Sequence, residues 1–309
     1  MIPITIIGAG IAGLACARRL TQAGLAPVLL DKGRGIGGRV ATRRVDAMQF
    51  DHGAQYVTAR TPSFAAVLEG LQTAGALVDW PDDNGHHRSV GRPGMSSLAK
   101  AMGQGLDIRQ GMQVTGVTQT GAGWDLHLGE TLLQTKRVVI TVPAPQVAGL
   151  LGADHPLTKA VSPVRMAPCL TLMAAVTAPA AFQSRQDLDD PLAWIAHDNS
   201  KPDRPQGTAL WVAQAGQGFS EMHLEQNPTA IAQLMLPLLC DRLGVTADHV
   251  IHAAAHRWRY ARVTGALGHP FLTSVDGTLH LGGDWCIGAR VEAAWQSGTA
   301  IADDILARA

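Results

Sequence analysis

Residues 2–31 read IPITIIGAGIAGLACARRLTQAGLAPVLLD. Ile2 to Ile7 is a short run rich in β-branched residues that ends at Gly8, the pattern of a buried parallel strand. From Ile11 to Ala23 the apolar positions Leu14, Ala15, Ala17 and Leu20 recur with helical spacing, and Gly24 supplies a stop. Pro27 to Leu30 predicts a second strand with Asp31 at its C-terminal end. The whole is a βαβ unit opened by Gly8-x-Gly10-x-x-Gly13. Gly8 permits the tight turn, Gly10 lets the backbone approach a pyrophosphate, and Gly13 lets the helix lie close to the sheet. The helix N-terminus offers unpaired N–H groups and partial positive charge. Asp31 follows Gly13 by 18 residues, where a carboxylate accepts from both ribose hydroxyls and repels a 2′-phosphate. With a strand before, a helix after and the acid in place, the motif predicts a bound dinucleotide.

Outward from this unit, Ser96–Met102 predicts a short helix, and Ile108–Gln119 and Trp124–Leu128 predict strands. Arg137–Thr141 is an apolar strand stopped by Val142-Pro143-Ala144-Pro145, since proline cannot continue a ladder. Leu170–Val176 and Ala209–Ala213 predict sheet strands, Pro228–Leu243 an amphipathic helix, Thr278–Leu281 a last strand and Glu292–Leu306 a last helix. The pattern is α/β at both ends and more antiparallel between them.

The composition narrows the function classes. The chain has 309 residues, 46% of them hydrophobic, with 25 basic and 25 acidic residues and zero formal charge. That excludes a disordered chain and disfavours nucleic acid as the main partner. The four cysteines, Cys16, Cys169, Cys240 and Cys286, form no CxxC pair and read as small core residues. No apolar run is long enough for a membrane span. No cationic region precedes Pro3–Ile7, so the N-terminus does not read as a signal peptide and a cytoplasmic protein with reduced thiols is expected. Asp82-Asp83, with Asn84-Gly85 and His86-His87, reads as a solvated turn and not as a metal site; no metal is expected.

Two further glycine motifs bear on the cofactor. Asp31-Lys32-Gly33-Arg34-Gly35-Ile36-Gly37-Gly38-Arg39 combines bare backbone with two arginines, which suits a phosphate or a flat ring. Near the other end, Leu281-Gly282-Gly283-Asp284-Trp285 lies between a strand and the last helix. There Asp284 can accept from a polyol hydroxyl, and the helix N-terminus can stabilise negative charge on a reduced flavin.

These motifs resemble the amine-oxidase superfamily of flavoproteins and, more narrowly, the renalase family. The narrower resemblance adds Asp51-His52-Gly53-Ala54-Gln55-Tyr56-Val57-Thr58-Ala59-Arg60, Gly91-Arg92-Pro93-Gly94-Met95-Ser96, Val142-Pro143-Ala144-Pro145-Gln146, Asn199-Ser200-Lys201-Pro202, His256-Arg257-Trp258-Arg259-Tyr260-Ala261 and Gly282-Gly283-Asp284-Trp285-Cys286, in order along nearly the whole chain. It implies a p-hydroxybenzoate-hydroxylase-like fold: a Rossmann-type FAD-binding domain (1–56, 93–150, 274–309) interleaved with an α+β substrate domain (57–92, 151–273) whose antiparallel sheet roofs the flavin. It implies non-covalent FAD held by Gly8, Gly10, Ile11, Ala12, Gly13, Asp31, Lys32, Gly37, Gly38, Arg39, Gln55, Tyr56, Val114, Pro143, Gly283, Asp284 and Val291. The activity implied is oxidation of 2- or 6-dihydro isomers of NAD(P)H to NAD(P)+, with O2 reduced to H2O2. One departure stands out: where members often place a His on the strand, this chain has Gln214.

A dihydronicotinamide that loses hydride becomes an aromatic cation, so no general base is required. The sequence shows no evident catalytic dyad or triad, and flavin supplies the hard chemistry. The substrate pocket is expected at Tyr56, Gln214, His256, Arg259, Tyr260 and Trp285. Tyr56 and Tyr260 read either as walls of the flavin's substrate face or as core residues with a bonded hydroxyl. His256 and Arg259 read either as ligand contacts or as partners of nearby carboxylates, and Lys201 either as a phosphate contact or as a surface lysine. Oxidation of small primary or secondary amines is the competing enzymatic reading, and a non-catalytic flavin-binding redox sensor the third.

Overall fold

The computed structural model describes residues 1–82 and 85–308; Asp83 and Asn84 of the polar turn lie outside the described residues. The βαβ unit forms as its pattern predicts, with strand Ile2–Ile7, helix Ile11–Gln22 and strand Val28–Asp31. It joins a sheet in the order Leu272–Thr273, Leu279–Leu281, Thr131–Ile140, Ile2–Ile7, Val28–Asp31, Asp107–Gln110. Ile7 lies opposite both Ile140 and Leu30, and Ile140 opposite Leu281, all in parallel register. Ile6, Leu29, Leu30, Val138, Val139 and Ile140 are fully buried, as expected of a parallel sheet covered on both faces.

Two glycines set the helix packing. A Cβ on Gly13 would lie 2.0 Å from the Gly8 carbonyl oxygen, and one on Gly298 would lie 2.0 Å from that of Ala12. Helix Ile11–Gln22 is thus pressed against the first strand on one side and against the last helix, Val291–Ala307, on the other. Arg18 donates to the carbonyls of Ala101, Met102 and Gln104, satisfying the C-terminal acceptors of helix Ser96–Gly103.

The second sheet is antiparallel, in the order Ser184–Gln186, Trp194–His197, Ala209–Gln214, Arg165–Val176, Val250–Gly265. One face packs Leu170, Leu172, Trp211 and Ala213 against Ile231, Met235 and Leu239 of helix Pro228–Leu243. The opposite face turns Met173, Ala175, Leu210 and Val212 toward Phe50, which lies in the hairpin Thr42–Val45/Met48–Asp51.

Several elements depart from expectation. The run 108–119 is not one strand but two, Asp107–Gln110 and Gly116–Thr120, parted where Gly111 takes a positive φ of 70°. Helix Pro62–Thr73, the hairpin at 42–51 and strands Trp194–His197 and Val250–Gly265 carry weak local signals. The last of these is built largely of Ala, His and Arg, which do not favour strands on their own; pairing along nearly the whole of Arg165–Val176 holds it. Among the described residues no helix is long and apolar enough to cross a membrane.

Candidate active site

The glycine turn forms a cradle open toward a ligand. Gly10 is extended at the N-cap, no side chain caps the helix, and no acid stands in its first turn. A Cβ on Gly10 would meet nothing within 4 Å. Ile11 and Ala12, buried at the helix start, present their N–H groups there. The Gly37 N–H donates to the Ala9 carbonyl at 2.8 Å, and the positive φ of Gly37 and Gly38 folds the second glycine loop beside the first. Asp31 joins the two loops: its carboxylate accepts from the Ala9 and Gly33 N–H groups, each at 2.7 Å. Each oxygen keeps a lone pair for a ribose hydroxyl. Lys32 is exposed beside it and Val114 is buried among Val28 and Leu30. Pro143 closes the adjoining strand, and Val291 opens the last helix, which no side chain caps. Uncapped N–H groups, an open glycine and an acid at the second strand fit the pyrophosphate and ribose of FAD.

Arg39 and Asp284 pair with each other, at 2.6 and 2.8 Å in bidentate geometry. Arg39 also donates to the Ala261 carbonyl at 2.8 Å. The pair therefore ties the second glycine loop to the C-terminal motif and to strand Val250–Gly265. The Gly283 N–H donates to Ser297 at 2.9 Å. Trp285 corrects an expectation: it is 1% exposed, donates to the Val142 carbonyl and belongs to the core, not to a pocket wall. Burial pushes the Cys286 thiol up to about 12, which removes it as a nucleophile at neutral pH.

The segment Asp51–Tyr56 runs between the two sheets and is pinned from both. The Ala54 N–H donates to the Arg39 carbonyl at 2.8 Å. From the antiparallel sheet, Trp258 Nε1 donates to the His52 carbonyl at 2.8 Å and Gln214 Nε2 to the Gly53 carbonyl at 2.7 Å. Thr171 pairs in register with Gln214 on one side and His256 on the other, and Gln214 pairs with Trp194. Trp194, Gln214, Thr171 and His256 thus form one row across four strands.

The row meets the segment through aromatic contacts. The His52 ring stands edge-on to His256 at 4.9 Å and stacks on Trp258 at 5.2 Å, while Tyr56 packs on Trp194 at 5.7 Å. Burial, then the neighbouring His256 and Arg43, push His52 down to about 4. Burial and Arg43 lower His256 as well. Both imidazoles are neutral at pH 7, and among the described residues no ion pair joins His256 to a carboxylate. His52 Nδ1 is buried without a hydrogen-bond partner among the described residues. Tyr260 is half-buried and lies where the strand's register shifts between Trp258 and Arg262. Arg259 points the other way and forms a bidentate pair with Glu225 at 2.6 and 2.9 Å, so it leaves the pocket set.

Lys201 corrects both of its readings, being neither exposed nor free for a phosphate. It is fully buried with Asp51, Asp198 and Arg204. Its Nζ lies 2.5 Å from Asp198 Oδ1, 3.3 Å from Asp51 Oδ2 and 3.4 Å from Gln55 Oε1. Arg204 Nη2 reaches Asp51 Oδ2 at 2.6 Å. Sequence reasoning missed this cluster, and also Thr171, Trp194, Trp80, Arg88 and Glu292. Glu292 is 1% exposed and accepts from the N–H groups of Arg60 and Thr61 and from the Thr61 hydroxyl, anchoring helix Pro62–Thr73 to the last helix.

Residues 6–71 match the NAD(P)-binding Rossmann-like domain, and residues 64–306 match the flavin containing amine oxidoreductases. The chain belongs to the flavin-containing amine oxidoreductase family. It is accordingly an FAD-dependent oxidoreductase. Its fold is similar to that of a putative protoporphyrinogen oxidase from Exiguobacterium sp. 255-15 (14% identity, 100% of this chain and 99% of that one covered, TM-score 0.79). It is also similar to wild-type putrescine oxidase bound to putrescine (14%, 99% of each chain, TM-score 0.74) and to cyclohexylamine oxidase from Brevibacterium oxydans IH-35A (13%, 99% of each, TM-score 0.73). At these identities the likeness shows the fold.

Proposed function

We propose that this oxidoreductase oxidises 2- or 6-dihydro isomers of NAD(P)H to NAD(P)+ with O2 as the final acceptor, as the renalase-like motifs imply. Bound FAD would accept the hydride at N5 and pass the electrons to O2, giving H2O2. The observation that favours this reading is the row Trp194–Gln214–Thr171–His256 against the segment 52–56. It offers neutral imidazoles, an amide and a hydroxyl, but no carboxylate, and the adjoining lysine is consumed by its buried acids. Such a surface can orient a neutral carboxamide-bearing ring, and hydride loss from that ring requires no proton transfer. We assign cofactor binding to 1–56, 93–150 and 274–309 and donor binding to 57–92 and 151–273, with FAD held non-covalently.

Oxidation of small amines is the second reading, favoured by family membership and by the substrates named for the putrescine and cyclohexylamine oxidases. Anaerobic stopped-flow reduction of the flavin separates the two. The C2- and C6-dihydro isomers should bleach it faster than NADH, because misplacing the hydride by about 1 Å costs on the order of a hundredfold. An amine that wins by more than about tenfold moves the protein to the second reading.

A further inference from the structure

Beside Tyr56, three aromatic rings surround a guanidinium. Arg88 Cζ lies 4.5 Å from the ring centroid of Tyr56, 5.4 Å from Trp194 and 5.9 Å from Trp80. Arg88 Nη2 pairs with Asp82 Oδ2 at 2.9 Å, the two side chains being 13% and 8% exposed. Arg88 Nη1 is buried with no hydrogen-bond partner among the described residues. Aromatic faces closed by a carboxylate are the donor set that receives an ammonium ion. This box adjoins the proposed donor site: Tyr56 ends the segment pinned between the sheets, and Trp194 lies across from Gln214 in the row.

We infer that Arg88 is a specificity-determining residue, a tethered cation that fills an ammonium box of Tyr56, Trp80, Trp194 and Asp82, so that the site refuses alkylammonium donors. Its location at the donor site rests on the reading given under Proposed function; the occupancy of the box by Arg88 does not. The physical reason is charge. A second cation in the box would share one carboxylate with Arg88 at contact distance, in surroundings that screen poorly. Without Arg88, the same walls and Asp82 form a vacant cation site, and Asp82 keeps its contacts with His86 at 2.8 Å. A neutral dihydronicotinamide ring meets no such repulsion.

The FAD-loaded protein and its Arg88→Ala, Arg88→Gln and Arg88→Lys variants are titrated with methylguanidinium and tetramethylammonium chlorides against sodium chloride at equal ionic strength. Binding is read from tryptophan fluorescence and thermal shift, and folding from near-UV circular dichroism. Arg88→Ala should gain saturable binding of both cations, at least about tenfold tighter than wild type, and adding Asp82→Asn should abolish it. Arg88→Lys should exclude them as wild type does. Arg88→Gln keeps the length of the side chain and replaces Arg88→Ala should the latter not fold. A folded neutral variant that binds cations no better than wild type overturns the inference, and so does a wild type that already binds them in the same range. If dihydronicotinamides fail to reduce the flavin while cations enter only the neutral variants, the proposed activity falls and the occupancy of the box by Arg88 stands.

Discussion

Replacing Lys201 by Met tests the buried charge cluster, because Met keeps most of the volume and removes one charge and three donors. In the wild type two acids, Asp51 and Asp198, face two bases, Lys201 and Arg204, all with side chains 0% exposed. The variant leaves two carboxylates to one guanidinium. Breaking a buried pair from one side costs about 3–5 kcal/mol. At about 2–4 °C per kcal/mol for chains somewhat shorter than this one, Tm should fall by on the order of 10 °C. The pH dependence fixes the cause. Burial, reinforced by Asp51, raises the Asp198 carboxyl above its ordinary range against the pull of Lys201. Burial also pushes Asp51 up, but Lys201, Arg204 and the bonds from Thr42 and Met95 outweigh it and hold Asp51 low. Asp51 therefore stabilises the fold above its ordinary value of 3.8, an effect lost as pH falls through its lowered folded value. Loss of Lys201 raises Asp198 further, and a carboxyl so raised is penalised while ionised. The deficit of the variant should be greatest at neutral pH and shrink as pH falls through the raised Asp198 value. Lys201→Met with Asp198→Asn should recover much of the loss, since a neutral replacement of a buried pair is tolerated. The assay is thermal unfolding followed by far-UV circular dichroism at several pH values. A single variant within about 2 °C of wild type at pH 7 would refute the reasoning.

Asp31→Ala should weaken FAD retention by about 10- to 150-fold, from hydrogen bonds to a charged acceptor worth about 1.5–3 kcal/mol, checked by fluorescence titration of the apoprotein. Gly10→Val and Gly13→Val should part company. A Cβ at Gly10 meets nothing within 4 Å whereas one at Gly13 meets a carbonyl at 2.0 Å, so the first should fold and lose FAD and the second should lose the fold. Full FAD occupancy in a folded Gly10→Val protein would contradict the cradle. His52 titrates near 4 in the fold against 6.5 unfolded, so its contribution is complete above pH 6.5 and is lost as pH falls toward 4. Between pH 7.5 and pH 5, His52→Gln should remove about 2 kcal/mol of that acid sensitivity, and an unchanged difference in Tm between those two pH values would count against it.

What the sequence made legible was whatever rests on local chemistry. Gly8, Gly10, Gly13 and Asp31 could be placed because a tight turn, a close approach and a ribose acceptor each demand one residue type at one spacing. The roles of Trp285, Arg259 and Lys201 could not, because each depends on which way a side chain turns. Strand alternation puts His256 and Trp258 on one face of 250–265 and Arg259 on the other, but that strand was not legible in a run of Ala, His and Arg. The lysine in Asn199-Ser200-Lys201-Pro202 has the local composition of a surface turn, and its burial rests on Asp51, about 150 residues away, as well as on the neighbouring Asp198. The row Trp194–Gln214–Thr171–His256 is set by the register of four strands, which no single strand encodes.

The segment Asp51–Tyr56 explains why these distant residues matter together. Its carbonyls at His52 and Gly53 are taken by Trp258 and Gln214, its Ala54 N–H by Arg39, and its Asp51 and Gln55 side chains by Lys201. Arg39 is in turn clamped to Asp284 and to the Ala261 carbonyl. The second glycine loop, the C-terminal motif and the antiparallel sheet therefore all converge on one short stretch of backbone. A displacement of either sheet relative to the other would have to break several of these bonds at once, including one within a fully buried ion cluster. Under the proposed function, a donor held by one sheet would meet a cofactor held by the other at a near-attack distance of about 3–3.5 Å, and such a junction would limit drift between them.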